Sequence, residues 1–269
     1  MSVSMRNTIN TGIHGPSTGQ NPIEACFPQS PCPFWAGLQP FGNTYGGSQD
    51  QQGTFGNHKW RAADWLVTAI GGAGTTLVPG QTYPEVATYV TRATQDTDGY
   101  NIQWSMDGGT TTSNIFVPTA GTLIVGYCRM KADNASTDAH TKTRFHWGLT
   151  EDDVGVHASD EDTIEFYKAS GAATMVGRIA NDGTATDTSA LANSQADNTY
   201  LSMGFRVNGI SSVEFWQGLT PHDMTLSATQ TTMTNIPTET MGLFHEGQTS
   251  EAAAQTFYLQ QLCAFQEAL

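Results

Sequence analysis

The chain has 269 residues and a formal net charge of −14, from 11 Lys and Arg against 25 Asp and Glu. That balance excludes nucleic acid as a partner, because phosphate contacts need clustered cations. No apolar run of 18 residues is present, so no membrane-spanning helix is expected.

The first 58 residues differ from the rest. They hold three charged residues (Arg6, Glu24, Asp50), six of the 11 prolines and nine glycines, with neither a helical nor an alternating apolar period. The opening MSVSMRNTINTG lacks the apolar centre of a secretory signal, so the expectation is a protein made and used without export. Aromatic residues recur irregularly through the turn residues: Phe27, Phe34, Trp35, Phe41, Tyr45 and Phe55. Such a segment cannot build its own core, yet it is too aromatic and too poor in charge for a solvated linker. We read residues 1–58 as an extended, non-globular arm whose aromatics are anchors for other chains, and 59–269 as the folded domain. Fully extended, the arm reaches up to about 190 Å.

From Lys59 onward, strand follows strand. Alternating or continuous apolar runs predict strands at 65–70, 82–93, 100–106, 122–132, 143–150, 163–169, 173–180, 199–208, 212–219 and around 239–246. Turn clusters separate them, among them DTDG, DGG, ANDG and VNG. This spacing points to a β-sandwich or jelly roll. The C-terminal SEAAAQTFYLQQLCAFQEAL is ambiguous. Its propensity is helical, while Phe257, Leu259, Cys263 and Phe265 alternate in one phase that Gln261 spoils.

The four cysteines form no convincing framework. Cys128 and Cys263 sit in apolar runs and read as small buried hydrophobes. Cys26 and Cys32 could pair locally or meet a metal, but no second pair follows to complete a zinc site. The expectation is unpaired, reduced thiols.

Several phrases together, ADWLVTAIGGAGT, GTLIVGYCRMKAD, FHWGLTEDD, IEFYKASGAATMVGRIANDGTATDT, ADNTYLSMGFRVNGISSVEFW and TFYLQQLCAF, cover about residues 63–265. In this order they resemble a family of phage proteins with a concanavalin A-like (laminin G-like) jelly roll. The resemblance implies an all-β jelly-roll β-sandwich and tips the C-terminus toward a strand. It also implies a structural virion protein of a tailed phage, made in the host cytoplasm and placed on the capsid surface as a decoration or cement protein. The expected partners are then the major capsid protein, bound through the arm, and further copies of the chain. The alternative implied by the same fold is a lectin-like module binding host-surface glycans.

Chemistry candidates cluster at 150-TEDDVGVH-157 and 160-DEDTIEF-166. In glucanases of this fold the catalytic strand resembles Glu-x-Asp-x-x-Glu, and Asp160, Asp162 and Glu165 would occupy those positions. A retaining mechanism needs two carboxyls about 5–5.5 Å apart. Along an unbulged strand, however, Ile164 and Phe166 point one way and Glu165 the other, so no catalytic residue is expected and the chain is read as a non-enzyme. Calcium is the one candidate cofactor, with Asp160 and Asp162 as its ligands, against the plainer reading of a solvated acidic turn. His146 is expected to face solvent or a polar layer. Trp104, Trp147 and Trp216 are expected in core packing rather than as a sugar-stacking platform. No GxSxG elbow or HExxH pair occurs, and the sequon at Asn134 carries no weight in a protein that is not exported.

Overall fold

The computed structural model describes residues 52–55, 58–61, 65–71, 76–79, 87–90, 98–104, 114–133, 142–151, 161–193, 196–220, 223–250 and 254–268. The anchors expected at Phe27, Phe34, Trp35, Phe41 and Tyr45, the pair Cys26 and Cys32, and Asp160 lie outside this set.

Among the described residues sixteen strands are formed: β1 (Gln52–Phe55), β2 (His58–Arg61), β3 (Trp65–Ile70), β4 (Thr76–Pro79), β5 (Ala87–Val90), β6 (Gly99–Trp104), β7 (Thr122–Asp133) and β8 (Thr143–Thr150). They continue with β9 (Thr163–Lys168), β10 (Val176–Asn181), β11 (Thr184–Asp187), β12 (Leu201–Asn208), β13 (Ser212–Gly218), β14 (Thr225–Gln230), β15 (Gly242–Thr249) and β16 (Thr256–Ala268). Strands β1 and β2 pair as a separate hairpin, and the boundary expected at 58/59 falls inside it. The others make two seven-stranded sheets. Sheet I has the order β11-β10-β9-β8-β15-β6-β3, and sheet II β14-β13-β12-β7-β16-β5-β4. Every neighbouring pair is antiparallel. Two seven-stranded antiparallel sheets packed over a common core make a concanavalin A-like jelly-roll β-sandwich.

Turn chemistry matches the sequence signals. Between β10 and β11, Asp182 and Gly183 both take positive φ (45° and 76°), the backbone of a tight hairpin that an Asp-Gly pair accommodates. After β12, Gly209 takes φ 56°.

Alternation along each strand then sorts the side chains. Ile102, Phe145, Trp147, Leu149, Ile164, Phe166 and Leu243 of sheet I face Ile124, Cys128, Met130, Met203, Phe205, Phe215 and Leu262 of sheet II. The aromatics interlock: the Trp147 ring stacks on Phe166 with centroids 5.1 Å apart, and Phe166 meets Phe215 edge-on at 5.2 Å. Phe215 fills the space over Gly177 of the opposite sheet, where a Cβ would lie 2.4 Å from its ring. Of the tryptophans expected in packing, Trp147 is buried and Trp104 half-buried against this core, while Trp216 flanks a second apolar cluster.

The C-terminal ambiguity resolves as a long strand with a bulge. Strand β16 pairs with β7 throughout, but the register shifts between Leu259 and Gln261. Before the bulge Phe257 and Leu259 face the sandwich core; after it Leu262 and Ala264 do. Cys263 and Phe265, expected in phase with Phe257 and Leu259, therefore emerge on the outer face of sheet II. A bulge inserts one extra residue and so exchanges the two faces of the strand. Both described cysteines, Cys128 and Cys263, are free and buried, and burial pushes both thiols well above their usual range.

Candidate functional site

The outer face of sheet I carries a polar layer. Reading across strands by register, one row runs Asp187, Arg178, Glu165, Gly148, Phe244, Gln103. The next runs Val176, Tyr167, His146, Glu246, Asn101, Thr68. Arg144 and Gln248 begin a third. Each of these residues alternates with a core residue on its strand, which is why they share a face.

Hydrogen bonding fixes the chemical state of His146. Its Nε2 lies 2.9 Å from Arg144 Nε, which can only donate, so Nε2 must accept. The ring proton is then on Nδ1 and is donated to Glu165 Oε2 at 3.0 Å. Glu165 is buried, with Arg178 as the cation beside it at 4.0 Å. Arg178 forms a two-pronged pair with Asp187 (2.7 and 2.9 Å) and lies over the Tyr167 ring, 3.9 Å from its centroid. Burial lowers the Arg178 pKa, but the bonds and charge of Asp187, together with Glu165, outweigh it and leave the pKa raised. A second carboxylate, Glu246, accepts from Asn101 Nδ2 (3.0 Å) and Gln248 Nε2 (2.8 Å). Asn101 Oδ1 is buried and has no donor among the described residues.

Gly148 shapes the face. Its φ is +153°, and a Cβ there would stand 2.1 Å from the Ile164 carbonyl oxygen. Only glycine fits, because the β9 backbone occupies the place its side chain would take.

Exposure falls unevenly over the layer. Glu165, His146, Glu246, Gln248, Asn101 and Gln103 are all buried. Arg144, Tyr167 and Arg178 are partly exposed, and Asp187 is exposed. The accessible end of the network is therefore its β8–β9–β10–β11 side.

The sequence candidates separate. Glu165 points away from Ile164 and Phe166, as expected, but into a buried network rather than solvent. His146 lies in a polar layer and not in solvent. Asp162, read as part of a wet acidic turn, is instead 1% exposed. Its carboxylate accepts from three backbone amides: Asp182 N (2.9 Å), Thr238 N (3.2 Å) and Glu239 N (3.4 Å). It ties the β10–β11 turn and the segment before β15 to the start of β9. Burial, followed by the charge of Asp162, raises the pKa of nearby Glu151.

Of the two expected calcium ligands, Asp160 lies outside the described residues and Asp162 already has its oxygens engaged. Three N–H dipoles already converge on its oxygens, and among the described residues no group of three His, Cys, Asp or Glu side chains is placed to hold a metal. Asp162 and Glu165 serve different partners on different faces, so they do not form a facing carboxylate pair.

Sequence reasoning missed Arg144, Arg178, Glu246, Asn101 and Gln248. Part of the signal was present: FHW (145–147) and IEF (164–166) each set a polar residue between two apolar ones in neighbouring strands.

No protein-family model and no curated protein matches this chain. Among solved structures, the chain is similar to the carbohydrate recognition domain of Emp47p at TM-score 0.55 and 9% identity, over 86% of this chain and 94% of that one. It is also similar to the Ca2+/mannose-bound exoplasmic/lumenal domain of VIP36 at TM-score 0.53 and 8% identity, over 77% and 84% of the two chains. These likenesses establish a lectin-like β-sandwich fold.

Proposed function

We propose that this chain is a glycan-binding module that recognises sugar hydroxyls at the partly exposed end of the polar face of sheet I. The observation that carries the reading is the constellation Arg144, Tyr167, Arg178 and Asp187, backed by the buried Glu165–His146 pair. Hydroxyl-rich ligands need donors and acceptors in fixed directions, and here buried His146 backs Arg144 and Tyr167 while buried Glu165 and exposed Asp187 flank Arg178. Arg178 is clamped by Asp187, and His146 holds both Arg144 and Glu165. The fold shared with two carbohydrate-binding lectin domains supports the same reading. On this account no bond is made or broken. The contacts proposed here come from Arg144, Tyr167, Arg178 and Asp187 rather than from a metal, so binding should survive a chelator.

The test is a glycan array probed with the labelled full chain, with and without EDTA. Glycans should be retained in both conditions, and Arg178→Ala or Tyr167→Ala should reduce retention at least tenfold. An array that retains nothing, or retention indifferent to both substitutions, would contradict the proposal. Hydrolysis of any retained glycan that is lost in Glu165→Gln would contradict its non-catalytic part.

A second reading is favoured by the composition of residues 1–58: a structural protein on the capsid surface of a tailed phage, fastened to the major capsid protein by the arm. Deleting residues 2–58 should abolish attachment to capsids; undiminished attachment would remove this reading.

A further inference from the structure

The outer face of sheet II is apolar at its centre. Leu123, Val125 and Tyr127 of β7 and Cys263 and Phe265 of β16 form a cluster with Met224, flanked by Trp216. These six side chains are 0–5% exposed, although they lie on the side of the sheet away from the sandwich core. Beyond β7 and β16 themselves, the described residues that contribute to this cluster are Met224 and Trp216 of β13. A face of this kind is stable only under an apolar cover.

We propose that the cover is the arm of this same chain, with Phe27, Phe34, Trp35, Phe41 and Tyr45 seated on the β7–β16 face. The sequence leaves few other sources. Outside the described residues the arm contains every Phe and Trp, and the interstrand segments together contribute a single aromatic, Tyr83. The arm carries three charged residues and has no period from which to build its own core, so arm and face each supply what the other lacks. Its reach is ample: some 50 residues precede Gln52, and about a dozen extended residues already span 40 Å. The bulge in β16 gives the arrangement its logic, since without it Cys263 and Phe265 would not stand on this face. The inference is independent of the glycan site, which lies on the other sheet. A partner that recruits the arm would have to displace it from its own sheet.

Cys263 reports directly on the cover, while Cys128 on the core side of the same sheet is the internal control. The full chain carrying Cys26→Ser and Cys32→Ser is treated with a thiol reagent under native conditions. Neither remaining thiol should react on the timescale of an exposed cysteine. Adding Phe34→Ser and Trp35→Ser should accelerate Cys263 at least tenfold and leave Cys128 protected. A Cys263 that reacts freely in the parent, or stays protected in the variant, would overturn the proposal. A variant in which both thiols open has lost its fold, so a second measurement decides independently. Benzoylphenylalanine replacing Trp35 in the full chain should photocrosslink to peptides 122–133 or 256–268 of the same molecule. Crosslinked dimers would instead make a second copy the occupant, and links elsewhere would place the arm off this face; either overturns the proposal.

Discussion

Arg144 reads out the protonation of His146, and that single constraint propagates. A neutral imidazole donating through Nδ1 leaves Arg178 as the cation beside Glu165, and the layer holds two arginines against the three carboxylates Glu165, Asp187 and Glu246. Glu165→Ala removes the acceptor of a buried N–H and should cost about 2–3 kcal/mol in urea denaturation. Glu165→Gln, which keeps an acceptor, should cost clearly less; equal costs would mean that the hydrogen bond is not what matters. Lys168 offers a pH signature. Buried against the Thr143 carbonyl, its amine has a pKa lowered by burial to about 8. The folded state therefore disfavours the ammonium, the penalty is fully present below pH 8, and it is relieved as pH rises from 8 toward 10.5. Across that window the wild type should gain stability, by up to about 3 kcal/mol, relative to Lys168→Met. Parallel curves for the two proteins would contradict the assignment.

At the scale of elements, Asp162 replaces the backbone partners that three loop amides would otherwise lack. Asp162→Ala should cost about 2–4 kcal/mol and Asp162→Asn less, measured by chemical denaturation. A calcium titration should not restore the Ala variant. Gly148→Ala forces a Cβ against the Ile164 carbonyl, so β8 and β9 must part; the expected result is a poorly folded chain.

The same scale explains what was legible from residues alone. Strands β3 and β8 match their expected bounds, because 65-WLVTAI-70 and 143-TRFHWGLT-150 are bounded by turn residues and rich in β-formers. Strands β11 (TATD) and β14 (TLSATQ) were not anticipated. Both are sheet edges, largely exposed, and edge strands need no apolar stripe. The phase of Cys263 and Phe265 was misjudged because a bulge is a property of pairing with β7, which no local pattern announces. The polar layer was half legible. Glu165 and His146 were singled out, but assigning them to one network requires knowing that β8 and β9 are neighbours.

For the whole molecule, the two outer faces divide the work. Sheet II turns an apolar centre outward and invites a covering segment; sheet I turns a polar, internally ion-paired layer outward and invites a hydroxylated ligand. Because Arg178 already faces two carboxylates, Asp187 and Glu165, it offers no free cation to an acidic sugar, and the site should prefer neutral glycans. Binding should then change less than about twofold between 50 and 500 mM salt, since screening acts on unpaired charge; a steep salt dependence would indicate an ionic ligand instead. The most direct measurement of the central claim is calorimetric titration of an array-selected glycan into the wild type and Tyr167→Ala, with folding of both verified by circular dichroism. Saturable binding to the wild type and at least tenfold weaker binding to the variant are expected. Equal affinities in two equally folded proteins would contradict a glycan site on sheet I.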